Sequence, residues 1–234
     1  MCGRFVRKRS TVLLAREFGA DHISDELQPS FNIAPTHNVA VVLNDGLNDG
    51  ARKLVSMRWG LVPYWATDPT IGSSLINARA ETLITKAAFK NAFAKRRCLV
   101  IADGFYEWAK RAGAKTPMLF HLKSDRSFGF AGLYETWRSP LGEALTTCTI
   151  ITTEPNDLVR PIHDRMPVIL PKEVEDLWLD PALEDHHRLL DLLRPYPTEE
   201  MDAYAVSSAV NSVKNDSPEC IEPAAPAAQL HLLF

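Results

Sequence analysis

The sequence lacks a long hydrophobic run: no apolar stretch approaches the roughly 20 residues that a helix needs to cross a bilayer. The N-terminal residues carry basic side chains but no apolar core, so they do not predict a secretory signal. A hydrophobic fraction of 46% and a charged fraction of 24% are typical of a globular domain. We therefore expect a cytoplasmic protein without a membrane partner.

Cysteine is scarce, and its few positions exclude two classes of small domain. The four cysteines are Cys2, Cys98, Cys148 and Cys220, and no two of them form a CxxC pair. The spacing therefore predicts neither a zinc site nor a disulfide framework, and we expect no metal and no cofactor. Cys98 and Cys148 lie in apolar stretches, which favours buried thiols at both positions.

Overall positive charge is also absent, since the formal net charge is −3. That value excludes a protein that is basic over its whole surface. Basic residues nevertheless cluster at residues 4–9 and 95–97, whereas acidic residues dominate residues 173–191. This asymmetry is compatible with one basic face for a polyanion, and equally with a set of unrelated solvated patches.

Internal repeats and interior linkers are absent, and the apolar pattern predicts short strands joined by hairpins with few helices. Helices are predicted at Thr11–Phe18 between the N-cap Ser10 and the stop signal Gly19, at residues 85–97, after Pro171, and at residues 183–193. Strands are predicted at residues 38–43, 53–59, 98–102, 105–110, 118–122, 128–134, 145–153 and 165–170. We therefore predict an α+β fold in which antiparallel or mixed β-sheet forms a barrel-like core with a few peripheral helices.

Cys2 is the residue with the most distinctive chemistry, because only Met1 precedes it. Removal of Met1 would leave a free α-amine beside the thiol, and such a 1,2-aminothiol condenses with an aldehyde to a Schiff base and then a thiazolidine. The amine and thiol titrate near pH 8 and about 8.5, so both are partly nucleophilic in the cell. The alternative is an ordinary buried residue in a first strand.

Three polar segments occur where packing alone does not require them: residues 76–82, 103–108 and 161–167. They contain Asn77, Glu107 and His163, which together with Cys2 provide an amide, a carboxyl group, an imidazole and a nucleophile. A carbonyl-condensing site needs this set, since imine formation requires both a proton acceptor and a proton donor. As alternatives, Asn77 could cap a turn, Glu107 could be an exposed strand residue, and His163 could be a satisfied loop histidine.

An ordered set of motifs runs along nearly the whole chain. They are Met1-Cys2-Gly3-Arg4-Phe5, Phe31-Asn-Ile-Ala-Pro-Thr36, Trp59-Gly-Leu-Val-Pro63, Asn77-Ala-Arg-Ala-Glu-Thr82, Asp103-Gly-Phe-Tyr-Glu-Trp108, His163-Asp-Arg-Met-Pro167, Asn211-Ser-Val-Lys-Asn-Asp216 and Glu219-Cys-Ile-Glu-Pro223. Together they resemble the SOS response-associated peptidase (SRAP) family of abasic-site shielding proteins. The resemblance implies an SRAP-like domain at residues 1–223, followed by a C-terminal tail at residues 224–234.

The resemblance implies an enzyme that forms a DNA–protein cross-link, with lyase-type activity, at abasic sites in single-stranded DNA. In that family the mature N-terminal cysteine captures the ring-opened aldehyde as a thiazolidine and so shields the lesion during repair. By resemblance, Cys2 is the nucleophile and Asn77 holds the N-terminal residue and the opened sugar. Glu107 would shuttle protons, and His163 would assist ring opening and imine protonation. We expect a monomer located with the nucleoid.

The resemblance also implies a groove for DNA. Arg4, Arg79 and Arg165 would meet phosphates near the lesion, which positions the strand without reading its sequence. A second group would line the groove and contact flanking nucleotides: Asn32, Pro35, Trp65 and Trp108. Core packing is the alternative for the two tryptophans.

The tail ends in a short apolar peptide that follows a Pro/Ala stretch. It resembles the peptide by which bacterial replication and repair proteins bind the sliding clamp, with anchors at Gln229, Leu230, Leu232, Leu233 and Phe234. A flexible tether would let such a peptide search for a preformed groove. A last strand, or an apolar end packed on the domain, is the alternative.

Two other functions remain open from the sequence. Cys2, His163 and Asn77 are also the residue types of a thiol peptidase, which matches the name of the family. Self-cleavage by such an enzyme would release only Met1, and Glu107 would have no clear task. A non-covalent module for single-stranded DNA is the third hypothesis, and salt would weaken its binding steeply.

Overall fold

A computed structural model of the protein describes residues 2–44, 46, 51–111 and 114–224. The predicted clamp-binding peptide at residues 229–234 lies outside the described residues, so its role stays a prediction.

Fourteen strands and four α-helices make up the regular structure of this part of the chain. The strands are β1 Phe5–Arg7, β2 Ala20–Ile23, β3 Ser30–Ile33, β4 Asn38–Leu43, β5 Arg52–Trp59, β6 Asn77–Arg79, β7 Arg97–Ala102, β8 Gly104–Arg111, β9 Ala114–Leu122, β10 Phe128–Arg138, β11 Ala144–Thr153, β12 Met166–Pro167, β13 Ile169–Leu170 and β14 Met201–Ala205. The helices are α1 Thr11–Phe18, α2 Ala87–Lys95, α3 Glu175–Leu179 and α4 His186–Asp191. Short 3₁₀ turns connect several of these elements.

The strands form two sheets. The smaller sheet has the order β14-β9-β8-β1-β3, and each neighbouring pair is antiparallel. The larger sheet follows the order β12-β11-β10-β7-β4-β5-β2, with β13 paired to β10 and β6 paired to β11. It is mixed, because β6 and β5 run parallel to β11 and β2 runs parallel to β5.

A single apolar core fills the space between the two sheets. Phe5 and Phe105 of the smaller sheet pack there with Trp59, Val100 and Phe130 of the larger one. The outer face of the larger sheet is covered by helices, which form a second cluster. The predicted fold class is confirmed: mixed β-sheet builds a barrel-like core, and the few helices lie at its periphery.

Local sequence signals account for the best-predicted elements. Helix α1 begins after Ser10, whose hydroxyl accepts from the Leu13 amide, and it ends at Gly19 in the left-handed region with φ 62°. Both caps were predicted. Strand β4 is almost wholly buried, as its continuous apolar run indicates for a central strand.

Other predicted elements are shorter in the structure, for identifiable reasons. The predicted helix 85–97 corresponds to α2, which ends at Lys95. It ends early because Arg97 already belongs to β7, where its buried guanidinium donates to the Trp178 and Phe93 carbonyls at 2.8 and 2.9 Å. The predicted helix 183–193 begins only after Asp185, whose carboxylate caps the amides of the first turn. The predicted strand 165–170 is split into β12 and β13.

In the two basic clusters, residues 4–9 and 95–97, several side chains form contacts within the protein. Arg7 is buried and donates to the backbone carbonyl of Arg9 at 2.8 Å. Arg9 pairs with the buried Asp103, and Lys8 pairs with Asp125. In the second cluster Arg97 is buried and Arg96 pairs with Glu135. The two runs therefore do not join into one basic face.

Two glycines hold the ordered loop between β5 and β6. Gly60 has φ +127°, and a Cβ built on it would lie 2.6 Å from the Gly72 carbonyl oxygen. The close approach of the two backbones therefore requires glycine at this position. It fixes the loop that carries Trp65.

All four cysteines are buried free thiols, as predicted for Cys98 and Cys148. Within the described residues, no helix is long and apolar enough to span a bilayer. The same residues contain no cluster of three or more His, Cys, Asp or Glu side chains that could hold a metal ion.

Candidate functional site

Cys2 lies just before β1, the strand between β8 and β3 in the smaller sheet. Its side chain is fully buried in the core between the sheets, and Sγ lies 3.8 Å from the Arg4 carbonyl oxygen. Burial raises the pKa of the Cys2 thiol well above its ordinary value, and the nearby Glu107 carboxylate raises it further. The thiol is therefore protonated at neutral pH.

Asn77 holds the backbone of Cys2. It is the first residue of β6, and the parallel pairing of β6 with β11 sets its position. Its Nδ2 donates to the Cys2 carbonyl oxygen at 3.0 Å. Its Oδ1 is buried and accepts no hydrogen bond from any described residue. This arrangement leaves an acceptor for a ligand next to the N-terminal segment.

Glu107 reaches the site because β8 runs antiparallel to β1. The pairing of Phe5 with Phe105, and the bond from the Tyr106 amide to the Arg4 carbonyl at 3.0 Å, bring Glu107 beside the residues before β1. The Glu107 side chain is buried, and burial raises its pKa from 4.5 to about 7. A carboxyl group with that pKa can both accept and release a proton near neutrality.

His163 lies on the loop that links β11 to β12. The Arg165 amide donates to His163 Nδ1 at 3.0 Å, which places the proton of a neutral ring on Nε2. Burial lowers the pKa of His163, although the Asp164 carboxylate, 3.0 Å from Nδ1, acts in the opposite direction. The charge of Asp164 also raises the pKa of Glu107, so this loop lies close to the Glu107 carboxyl.

The structure thus brings together the side chains that the sequence selected. Cys2 and Asn77 are hydrogen-bonded, Glu107 interacts electrostatically with the Cys2 thiol, and Asp164 links the His163 loop to Glu107. They come from the segment before β1, from β6, from β8 and from the β11–β12 loop, which are distant in sequence. The arrangement offers a buried thiol, a carboxyl group that titrates near neutrality and a neutral imidazole that can donate a hydrogen bond.

Arginines surround these side chains. The Arg165 guanidinium donates to both oxygens of the Glu81 carboxylate, at 2.7 and 2.9 Å, and to the Thr152 carbonyl oxygen at 2.6 Å. This bidentate pair lowers the pKa of Glu81. Arg79 is exposed. A polyanion at this surface would therefore meet one exposed guanidinium and one that it must share with Glu81.

Arg4 connects the N-terminal segment to an aromatic surface. Its Nη1 donates to Asn32 Oδ1 and, at 2.9 Å, to the Val210 carbonyl. Its guanidinium carbon lies 5.7 Å from the centre of the Trp108 ring, within the range of a cation–π contact. Trp108 is partly exposed, and its Nε1 donates to Asn211 Oδ1 at 2.7 Å.

The other residues expected to line a groove differ in exposure. Trp65 is 48% exposed, which excludes the alternative of core packing. Pro35 is partly buried. Asn32 is completely buried, and its Nδ2 donates to three carbonyl oxygens within residues 210–215. Asn32 therefore supports this surface from beneath, because burial and these bonds commit its amide to the fold.

Sequence reasoning missed Glu81 and Asn211 as partners of Arg165 and Trp108. Both residues lie inside motifs that the sequence displays, but the motifs are far from their partners along the chain. For the Glu81–Arg165 pair, the sequence shows only that an acidic residue in one motif and a basic residue in another have opposite charges. Nothing in the sequence indicated the hydrogen bond between Trp108 and Asn211.

Comparison with known proteins gives a consistent result. The model of the family described as SOS response associated peptidase (SRAP) matches residues 1–213. The "Abasic site processing protein YoqW" of Bacillus subtilis (strain 168) is 50% identical over 226 residues, covering 95% of this chain and 99% of the relative. The "Abasic site processing protein HMCES" of Gallus gallus is 36% identical over 225 residues, covering 84% of this chain and 66% of the relative.

Solved structures show the same likeness. A protein from Bacteroides thetaiotaomicron has a TM-score of 0.86 and 28% identity, and the match covers 96% of this chain and 100% of that chain. A protein from Bordetella bronchiseptica has a TM-score of 0.75 and 29% identity, covering 88% of this chain and 100% of that chain.

Proposed function

Because this chain belongs to the SOS response associated peptidase family, we propose that it is an enzyme that processes abasic sites in DNA. We propose further that it forms a thiazolidine cross-link between Cys2 and the ring-opened abasic sugar in single-stranded DNA. One observation carries the finer proposal: Asn77 holds the Cys2 carbonyl at 3.0 Å beside a glutamate whose pKa is about 7. The names of the relatives support the coarser one.

The first step requires a free amine on Cys2, and therefore removal of Met1. The amine attacks the C1′ aldehyde of the opened sugar and forms a carbinolamine. Glu107, as a carboxylate, accepts the proton that the nitrogen loses. Glu107 then gives this proton to the hydroxyl oxygen, which leaves as water and gives an imine, while His163 donates a hydrogen bond from Nε2 to that oxygen. The buried Oδ1 of Asn77 offers an acceptor to the amine or to a sugar hydroxyl.

The second step closes the ring. The Cys2 sulfur bonds to the imine carbon, Glu107 accepts the thiol proton, and the nitrogen regains a proton. The sum of both steps is an aldehyde and an aminothiol giving a thiazolidine and one water. On this scheme the amine reacts first, because burial disfavours the thiolate and the sulfur becomes nucleophilic only when Glu107 takes its proton.

DNA binding is proposed to use the surface around this site. Arg79 and Arg165 would contact phosphates on the side of β6, and Arg4 would do so beside Trp108. Stacking of a flanking base on an aromatic ring contributes roughly 1–3 kcal/mol and tolerates any sequence. Such contacts hold any single strand, whereas only an abasic site supplies the aldehyde. A DNA substrate also implies a location at the nucleoid.

The test is intact mass spectrometry after the protein is mixed with single-stranded DNA that carries one abasic site. We expect a product equal to protein without Met1 plus DNA minus one water, stable to denaturation. Cys2→Ala should lose this product. It retains an N-terminal amine, so borohydride should still trap an imine, which provides a matched control. A denaturation-stable adduct in Cys2→Ala without reductant would refute the mechanism.

Two alternatives remain testable on the same samples. A thiol peptidase would cleave peptides in the absence of DNA, and Cys2→Ala would abolish that cleavage while leaving DNA untouched. A non-covalent module would bind single-stranded DNA reversibly, and its complex would dissociate at high salt. Glu107 favours the cross-linking enzyme, because that reaction gives a task to a carboxyl group with a pKa of about 7, whereas a Cys-His-Asn peptidase does not use it.

We also propose that the peptide at residues 229–234 binds the replication sliding clamp. Its support is the sequence resemblance alone. Purified clamp should retain the full-length protein and lose a chain that ends at Ala228. Equal retention of both would refute this part of the proposal.

A further inference from the structure

The segment 208–216 is attached to the smaller sheet by buried polar contacts. It begins with the 3₁₀ turn Ser208–Asn211. Asn32 donates to the carbonyl oxygens of Val210, Ser212 and Asn215 at 2.7–3.1 Å. The Asp216 carboxylate accepts a hydrogen bond from the backbone N–H of Asn32 at 3.0 Å and another from the Ser30 hydroxyl at 2.9 Å. The segment is therefore fixed to β3 at both ends.

The same segment borders the N-terminal residues and the aromatic surface. The Val210 carbonyl oxygen accepts a hydrogen bond from the Arg4 guanidinium at 2.9 Å. Asn211 Oδ1 accepts one from Trp108 Nε1 at 2.7 Å. Since Arg4 is two residues from Cys2 and contacts the Trp108 ring, residues 210–211 lie along the edge of the proposed DNA surface.

Beyond these contacts the segment presents unused groups to solvent. Residues 211–214 are exposed, and Val213 is half exposed although it is a large apolar side chain. Within the described residues, Lys214 forms no ion pair; its backbone amide alone is hydrogen-bonded, to the Ser212 hydroxyl. A rigid segment with an unpaired ammonium group, next to an indole, suits contact with a nucleic-acid backbone.

We propose that residues 211–214 form one wall of the groove for single-stranded DNA. Lys214 neutralises a phosphate that flanks the lesion. Asn211 is a positioning residue, because its bond to Nε1 fixes the plane of the Trp108 ring on which a neighbouring base stacks. This inference rests on the proposed function, in that single-stranded DNA is taken as the substrate.

The role of Lys214 is tested by the salt dependence of binding to a single strand without an abasic site. Each neutralised phosphate contributes a slope of about −0.7 in a plot of log K against log salt concentration. Lys214→Ala should therefore make the slope shallower by about 0.7, and Lys214→Arg should restore it. Lys123→Ala is the matched control. Lys123 is exposed and directly follows β9, whereas Trp108 pairs with Pro117 in the first half of that strand. Its slope should equal that of the wild type.

The role of Asn211 is tested by a double-mutant cycle with Trp108. Asn211→Leu and Trp108→Phe each remove one partner of the bond, and each should weaken DNA binding about three- to tenfold. The double variant should bind no more weakly than Trp108→Phe alone. In Asn211→Leu the loss should appear mainly in the DNA concentration that gives half of the maximal cross-linking rate, because Asn211 acts on DNA binding through the Trp108 ring. Additive losses, or a lower rate at saturation, would refute a positioning role.

Failure of this inference is distinguishable from failure of the proposed function. An unchanged salt slope in Lys214→Ala, in a protein that still forms the Cys2-dependent adduct, overturns the role of Lys214 alone. A wild-type protein that shows no adduct, yet has a Lys214-dependent slope, supports the groove and refutes the cross-linking chemistry. A wild-type protein that does not bind single-stranded DNA overturns both.

Discussion

Glu107 provides a direct test of the electrostatics at this site. Its carboxyl group is buried in the native protein and has a pKa of about 7, compared with an ordinary value of 4.5. Between these two values the unfolded chain is ionised at this position while the native protein keeps its proton. Stability must therefore fall as the pH rises through this interval, because unfolding releases a proton.

The size of the effect follows from the two pKa values. Each pH unit between 4.5 and 7 costs at most about 1.4 kcal/mol, so the total loss approaches about 3 kcal/mol. Glu107→Gln mimics the protonated carboxyl group and removes this loss. We expect the variant and the wild type to be equally stable near pH 4, and the variant to be about 3 kcal/mol more stable above pH 7.

Urea denaturation at a series of pH values measures this difference, since titrating groups away from Glu107 contribute equally to both proteins. Glu199→Gln is the control, because Glu199 is exposed and its replacement should leave the two curves parallel. Parallel curves for Glu107→Gln would refute the raised pKa, whatever the function of the protein.

The same variant tests the proposed chemistry. If the carboxylate of Glu107 accepts protons during condensation, the single-turnover rate of cross-linking should rise with pH through about 7 in the wild type. Glu107→Gln should react more slowly and lose this inflection. A variant that keeps both the rate and the inflection would exclude Glu107 as the proton acceptor.

Three further variants test individual contacts. Asn77→Leu removes the bond to the Cys2 carbonyl and should slow cross-linking at saturating DNA about five- to tenfold, measured as a single-turnover rate; an unchanged rate would contradict the role of Asn77. Glu81→Gln releases Arg165 from a competing carboxylate, so affinity for single-stranded DNA should rise about two- to fivefold in an anisotropy titration, and a fall would contradict this competition. Asn32→Ala removes the buried amide that donates to three carbonyl oxygens and should lower the free energy of unfolding by about 1–3 kcal/mol in urea; no loss would show that the segment is held by other contacts.

The sequence predicted the fold class because its strands are hydrophobic enough to be recognised singly. The buried run of β4 and the two caps of α1 are local signals, and both were read correctly. No strand range was predicted for β1, β2, β3, β6 or β14. Each is short, and β6 owes its extended form to pairing with β11 rather than to its own side chains. Such strands depend on partners that lie far away in the chain.

The candidate site was predictable in its members but not in its contacts. Chemical type alone singled out Cys2, Glu107 and His163, and the fold supplied what type cannot, namely which groups are buried together. The same limit explains Asn32, which a motif placed on the binding surface. Its polar side chain satisfies backbone carbonyls inside the protein, and this use of an amide leaves no mark in the sequence.

On the proposed mechanism, Cys2 is both a buried core residue and a nucleophile. The sequence offered these as alternatives, and the structure gives a cysteine that is fully buried and whose thiol has a raised pKa. An exposed thiolate would be open to oxidation and could add to an aldehyde reversibly. A buried thiol stays protonated until a base such as Glu107 accepts its proton, so sulfur attack follows imine formation. On the proposed mechanism, burial therefore sets the order of the two bond-forming steps and protects the nucleophile before it meets an abasic site.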